Sequence, residues 1–264
     1  MIDQKIQEQL RARFNPDGSL LRRHQLRMLE MLKYIDAVCR KYNIKYWLCS
    51  GTLLGAVRHG GFIPWDDDLD IEMLKGDYKK FVEVMKYEKN NDFVIQTYET
   101  DPNFYFVYAK LRDLHSTIVE TNNLYYKYNG IFIDIFVLEP SSSLKLSQFS
   151  RYLRFLPQRI FCKSNVIADV LFYIYRHCIF PILSILSLLG SRGQLRQRHG
   201  SFFLKPRYME DIFPLKEICF EGFHFAAPNN ADAYLRKIYG DYTCLPEISR
   251  IRVHTLDIRF DCIN

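Results

Sequence analysis

The sequence predicts an α+β fold: a mixed β-sheet flanked by helices and carrying a helical insertion that is both basic and apolar. Three observations predict it. Residues 20–42 repeat apolar side chains at helical spacing, residues 93–138 hold short β-patterned runs separated by turns, and residues 144–190 are helical by length and pattern. The 264 residues, 48% hydrophobic and 25% charged, suffice for a sizeable core and exclude a wholly disordered chain, a collagen-like repeat or a coiled coil. Length allows one large or two small domains. The expected organisation is a helix and mixed core over 1–143, the insertion over 144–207, and a β-α segment over 208–264 packing on the core.

Each element has a local reason. The first helix runs from about Leu20 to Tyr42, with Leu21, Leu29, Leu32 and Ile35 among its apolar positions and Asn43 as its stop. Tyr46–Cys49 reads as a short buried strand. Ser50-Gly51 makes a turn, and Thr52 is placed to cap a short helix to Arg58, which His59-Gly60-Gly61 breaks. Leu69–Met73 continues as a strand. Gly76–Lys86 is amphipathic, with Tyr78, Phe81, Val82 and Met85 on one face. Phe93–Thr97, Phe104–Arg112 and Thr117–Thr121 look like a meander, and Gly130–Leu138 is a strong strand ended by Pro140–Ser143. Glu217–Phe225 is a strand or hairpin around Glu221-Gly222, and Asn229–Tyr239 a helix closed by Gly240.

Charge is unevenly spread. The net charge of +6 hints at an anionic partner, and residues 144–207 concentrate it, with eleven Lys/Arg against one acid, Asp169. Arg151, Arg154, Arg159 and Lys163 precede the apolar stretch Cys178–Leu189, and Arg192, Arg196, Arg198, Lys205 and Arg207 follow it. Twelve uncharged residues, cut off upstream by Arg176 and His177, fall short of the roughly 20 that span a bilayer, so the stretch is expected to be a buried core helix, an interfacial helix inserting Leu183, Ile185, Leu186, Leu188 and Leu189, or part of a re-entrant pair with Val166–Tyr175, its basic flank alternatively binding an anionic glycan acceptor. The N-terminus has no apolar run of a secretory signal. Seven cysteines, an odd number with no metal-ligand spacing, point to reduced thiols and a cytoplasmic protein rather than a disulfide framework or zinc knuckle.

The sharpest feature is Trp65-Asp-Asp-Asp-Leu-Asp-Ile71. On a strand, Asp66, Asp68 and Asp70 would share one side, with Asp67 turned away and Leu69 and Ile71 in the core. Carboxylates so crowded repel one another unless a cation neutralises them, and a dense set of oxygen ligands suits Mg²⁺ or Mn²⁺. Asp134 lies inside the apolar run Ile131–Leu138, where an unpaired carboxylate is costly, so a metal shared with Asp68 and Asp70 would supply its partner. The alternative is a solvated turn with Asp134 on an exposed edge. The alternation of Leu69 and Ile71 with the acids argues against it. Ser50-Gly51-Thr52, between a strand and a helix N-terminus, offers N–H groups and positive dipole to a phosphate. Together these describe a nucleotidyl- or phosphoryl-transfer site.

The block from Tyr46 to Ile71, YWLCSGTLLGAVRHGGFIPWDDDLDI, resembles the signature of the LicD family, which includes bacterial phosphocholine transferases and is related to the fukutin and fukutin-related ribitol-phosphate transferases. Ala109–Asp113, Phe132–Phe136 and the run from Phe220 through Pro228 to Tyr242 are similar to further family blocks, so the likeness covers about Leu20–Leu245, least in 144–207. The resemblance implies a polymerase-β-like nucleotidyltransferase core with Mg²⁺ held by Asp68, Asp70 and Asp134, Ser50-Gly51 as phosphate turn, and Asp66 as an additional acid. It implies transfer of a phospho-alcohol, phosphocholine-like, from a CDP-activated donor to a glycan or glycolipid hydroxyl, as in lipopolysaccharide modification. The fukutin-related zinc cysteines have no counterpart, so no zinc is expected, and neither is a nucleic-acid partner.

In that mechanism Asp66 or Asp134 accepts the hydroxyl proton. Lys110 and Arg112, two apart on one strand, and Arg58 would clamp the pyrophosphate, or else be a solvated strand face and a helix C-cap. His59 reads as a loop residue. Trp65 either stacks on a base or quaternary ammonium or packs in the core, and Tyr105, Phe106, Tyr108, Tyr125, Tyr126 and Tyr128 form either a choline cage or a sheet core. The acceptors suit an enzyme peripheral at the inner face of the cell membrane. The competing readings are an Asp-x-Asp metal-dependent glycosyltransferase and a non-catalytic membrane-associated scaffold.

Overall fold

The computed structural model describes the chain except residues 1, 89, 120–125, 142–144, 147, 154–164, 190, 192, 198–204, 248–250, 252–256 and 261–264. Two helices open it, α1 (Gln4–Phe14), capped by Asp3, and α2 (Leu20–Tyr42), whose Asn43 closes the last turn in the left-handed conformation at φ 50°. Sequence reading missed α1: of its residues only Leu10 is buried, so it carries almost no apolar stripe. The strands β1 (Trp47–Leu48), β2 (Asp70–Leu74), β3 (Phe93–Gln96), β4 (Ala109–Asp113) and β6 (Phe132–Pro140) form one mixed sheet in the order β1-β2-β6-β4-β3. β6 is its centre. It pairs parallel with β2 and antiparallel with β4, so residues of three strands stand in rows. One face carries Ile71, Met73, Ile133, Ile135 and Val137, all at most 1% exposed, in a core shared with Met28, Leu32 and Ile35 of α2.

Three expectations are corrected. The meander does not form: β3 and β4 pair, but β5 (Ser116–Val119) leaves the sheet to pair with β11 (Asp257–Phe260). Phe104–Tyr108 is irregular, because its aromatic rings pack on one another rather than on alternating faces. The basic segment is not wholly helical either. β7 (Gln194–Gln197) pairs with β6 at Leu138–Pro140 and also with β8 (Arg207–Tyr208), which buries Arg196 and Arg207. Arg154, Arg159, Lys163, Arg192, Arg198, Tyr125 and two cysteines lie outside the described residues, and the five described cysteines form no disulfide.

The remaining elements stand near their sequence signals, except that α3 (Ser50–His59) takes in the expected turn Ser50-Gly51 and also His59, read as a loop residue, and that a short helix at Met209–Ile212 stands where none is expected. α3 and α4 (Lys75–Tyr87) flank β2, and Gly60 ends α3 at φ 69°. After the short α7 (Met209–Ile212), β9 (Lys216–Phe220) and β10 (Phe223–Ala227) form a hairpin. Its two turn residues, Glu221 and Gly222, both have positive φ, the type I′ requirement. α8 (Ala231–Tyr239) is capped by Asn230 and closed by Gly240.

Between β6 and β7 runs a continuous helical segment, α5 (Asn165–Ile174), a π-turn over Tyr175–Ile179, and α6 (Phe180–Leu188). Pro181 has no N–H to bond back into the helix, and the preceding turn widens so that Phe180 N–H reaches Tyr175 O. The extra residue brings Tyr175 and Phe180, five apart, onto one buried face. At 20 residues, Asp169–Leu188 is long and apolar enough to cross a membrane, which corrects the twelve-residue reading.

The sheet's other face is closed by a buried ion network. Glu72 on β2 stands 2.9 Å from the Arg207 guanidinium, with both side chains fully buried. Tyr234 Oη (2.6 Å), Trp47 Nε1 (3.1 Å) and Gln197 Nε2 (3.1 Å) donate to the same carboxylate. Strands β1, β2, β7 and β8 and helix α8 therefore meet at one acid. Arg207 is thus a core residue and no part of a basic flank.

Candidate active site

The row Asp70–Asp134–Lys110 crosses the sheet at the edge left open by that network. Asp70 pairs with Asp134 across the parallel β2–β6 ladder, and Asp134 with Lys110 across β6–β4. Lys110 Nζ lies 2.9 Å from Asp134 Oδ1 and over the Phe132 ring. A cleft of about 550 Å³ opens there, lined by Ser50, Gly51, Arg58, Trp65, Asp66, Asp68, Asp70, Asp134, Phe136 and Tyr239 among others. Burial and the charges of Asp134, Asp68 and Asp66 hold the Asp70 carboxyl well above the usual carboxylate range. Burial, with Asp70 beside it, also raises the Tyr239 hydroxyl.

The acids of 66–69 do not form a strand: β2 begins at Asp70. Asp66 and Asp68 still reach the cleft, but from an irregular segment, and Asp67 is buried with a carboxylate oxygen within 4.8 Å of those of Asp66 and Asp68. Polar residues of α2 hold that segment, a role the sequence did not reveal. His24 Nε2 donates to Asp67 O at 2.8 Å and Gln25 Nε2 to Asp66 O at 2.8 Å, while Asn15 donates to Gln25 at 2.7 Å. The signal was present: His24 and Gln25 interrupt the buried apolar stripe of α2. Burial pushes the His24 imidazole below its ordinary value, in keeping with a neutral ring that donates through Nε2.

Ser50 begins α3, with φ 47°, and Cys49 rather than Thr52 occupies the cap position. Thr52 Oγ1 instead accepts the Asp70 N–H at 2.8 Å, fixing the first residue of β2, and lines no part of the cleft. A side chain at Gly51 would begin 2.8 Å from Asp66 Oδ2, so glycine is what lets this carboxylate stand against the start of α3.

The other predicted cations divide. Arg58 lines the cleft, but its guanidinium donates to Tyr242 O (3.2 Å), Cys244 O (3.4 Å) and His59 Nε2 (3.0 Å). Arg112 does not reach the cleft. Although it shares a face with Lys110, it is fully buried, bonded to Gln96 Oε1 (2.7 Å) and Gly130 O (2.8 Å). Trp65 is wedged edge-on between Phe14 and His59, with centroids at 5.4 and 5.9 Å, and lines the cleft with what remains. Phe106 and Tyr108 line a separate cavity of about 760 Å³ against α4 and the π-turn, and Tyr108 packs on the cleft residue Phe136, 4.8 Å away.

His59 is a buried neutral ring, pushed down to about 3 by burial and by Arg58 and Arg11. Its Nε2 accepts from Arg58 and its Nδ1 lies 2.6 Å from Gln7 Oε1. A depressed imidazole stabilises the fold above its ordinary value of 6.5 and loses that contribution as pH falls from 6.5 toward 3. Thermal denaturation of His59→Gln should therefore show a smaller loss of Tm between pH 6.5 and 4 than the parent chain. Equal losses would assign the acid sensitivity elsewhere.

Comparison with known proteins places the chain in a family. Residues 43–165 match the family described as LicD/FKTN/FKRP, nucleotidyltransferase domain. The lipopolysaccharide cholinephosphotransferase LicD of Haemophilus influenzae is 30% identical over 250 residues, covering 86% of this chain and 92% of that protein. The human ribitol 5-phosphate transferase FKRP is 48% identical over 42 residues, 16% of this chain and 8% of that protein. An uncharacterised protein of Rickettsia typhi is 44% identical over 71 residues, 27% of this chain and 23% of that protein.

Proposed function

The chain belongs to the LicD family, and on that premise we propose that it is a phosphotransferase moving a phospho-alcohol, phosphocholine-like, from a CDP-activated donor to a hydroxyl of a cell-surface glycan or glycolipid. The observation that carries this reading is the parallel register that sets Asp70 and Asp134 side by side beneath a cleft also lined by Asp66 and Asp68. A mixed sheet with acids on neighbouring strands, beside a helix N-terminus, supports reading the core as polymerase-β-like.

The acids fit a hard divalent cation. Four carboxylates line one cleft, and burial together with the charges of Asp134, Asp68 and Asp66 disfavours the ionised Asp70, a penalty that a cation relieves. Asp68, Asp70 and Asp134 would hold Mg²⁺ or Mn²⁺, which when bound neutralises the oxygens of the transferred phosphoryl group. No zinc enters this reading.

The chain's own residues do the rest. Ser50 and Gly51 open α3 toward the cleft, so its N–H groups and dipole receive the donor's phosphates. An entering phosphate displaces the Asp66 carboxylate from Gly51. Lys110 engages Asp134 Oδ1 at 2.9 Å, and Asp66, against the start of α3, is the carboxylate we assign to accept the proton of the attacking hydroxyl. The acceptor oxygen bonds to the phosphorus that carries the alcohol, the bond to the CMP oxygen breaks, and CMP departs with Arg58 close to Asp66. Arg112 supports Lys110's strand and takes no part.

With Mg²⁺ present, the purified chain should release CMP from CDP-choline or CDP-ribitol and nothing from UDP-glucose, and EDTA should stop the reaction. Release of UDP from a UDP-sugar, with no CMP from any CDP-alcohol, would establish the glycosyltransferase reading instead.

A further inference from the structure

The helical segment Asn165–Leu188, about 36 Å long, has two unlike faces. The inner face is bound to the protein. Phe172, Tyr175, Phe180, Leu183 and Ser187 are buried, Phe172 and Tyr175 pack with Tyr98, Tyr105 and Val107, and Tyr105 Oη donates to Asp169 Oδ1 at 2.7 Å. Arg176 pairs with Glu99. The outer face carries Val166, Val170, Tyr173, Ile182, Ile185 and Leu189, each 53–73% exposed. The window Asp169–Leu188 has a mean hydropathy of 1.6 and is only 28% buried. Exposed His177, 4.3 Å from Tyr173, divides this apolar surface into two stretches, and their extent is still not that of an ordinary solvated surface.

We propose that this outer face lies in the surface of an anionic membrane, the helix parallel to the bilayer and its inner face holding the enzyme on it. Charge complementarity selects the occupant. Eleven basic residues fall in 144–207; Arg196 and Arg207 are buried and Arg176 is ion-paired, while five precede the helix and three others follow it in sequence, and of these Lys145, Arg151 and Lys205 are among the described residues. A basic flank around an apolar strip matches anionic headgroups over acyl chains. In a two-fold pairing with a second copy the same flanks would meet their like and repel. A spanning orientation would strip Asp169 and Arg176 of their partners and carry them into hydrocarbon, so the helix lies on the membrane rather than through it. This inference does not depend on the donor or the acceptor.

Flotation of the full chain with vesicles tests it. The chain should float with phosphatidylglycerol-containing vesicles at about 50 mM salt, several-fold less at about 500 mM, and weakly with pure phosphatidylcholine. Ile182→Asp/Ile185→Asp should lower the floated fraction about tenfold, because both side chains are exposed and would carry charge into the acyl boundary. Circular dichroism and light scattering of parent and variant keep folding and self-association in view. The proposal is overturned if the parent stays at the bottom with every vesicle. It is overturned equally if the double variant floats as the parent does, or if the parent forms a dimer that the variant abolishes while neither floats.

Discussion

Asp70→Asn and Asp134→Asn should each lower transfer by more than about 10³-fold, a loss of roughly 4 kcal/mol of transition-state stabilisation. Both keep the volume and remove a ligand charge. Their effects on the cation-free fold should differ, and that difference separates a metal site from a merely structural pair. Asp70 is crowded by Asp134, Asp68 and Asp66, so its amide relieves repulsion and should raise the melting temperature, by about 2–4 °C for each kcal/mol relieved. Asp134 has Lys110 at 2.9 Å, so its amide leaves a buried ammonium facing a neutral group and should lower it. Activity with Mg²⁺ and Tm in EDTA check both. Full activity in either variant would remove the assignment, and equal Tm changes would remove the electrostatic account.

Arg207→Met should destabilise the chain by about 3–5 kcal/mol, because it leaves the Glu72 carboxylate buried without its counter-charge. Glu72→Gln/Arg207→Met should recover at least half of that loss, since the glutamine carbonyl still accepts from Tyr234 and Trp47. Urea denaturation of the two single variants and the double closes the cycle. A single-variant loss below about 1 kcal/mol would mean that the pair contributes no more than a surface ion pair.

What could be read from the sequence was whatever neighbouring residues decide. α2 was legible because its apolar period and Asn43 are local, and so was the Glu221-Gly222 hairpin, whose turn chemistry lies in two residues. Asp70 and Asp134 were legible because an acid inside an apolar strand demands a partner wherever that strand goes. What failed was decided by distant chain. Asp66–Asp68 satisfied the alternation of a strand but lie outside the sheet, which begins to pair at the Leu69 carbonyl, and residues of α2 forty positions earlier fix them instead. Lys110 and Arg112 looked interchangeable, until Gln96 and Gly130 claimed one and Asp134 the other. Arg207 read as flank because nothing near it in sequence names Glu72.

That last distance also sets an order in time. Glu72 leaves the ribosome 162 residues before Tyr234, one of the groups that will satisfy it. At bacterial-to-eukaryotic elongation rates the interval is about 10–30 s. Through it the nascent chain has a site strand with a carboxylate it cannot bury, so β2 and β6 have no finished sheet to join. The cleft at Asp70 and Asp134 is therefore expected to complete late in synthesis, which protease protection of stalled nascent chains ending before and after α8 would show. Fragments that stop short of α8 should be read as clients of chaperones and proteases rather than as small working enzymes.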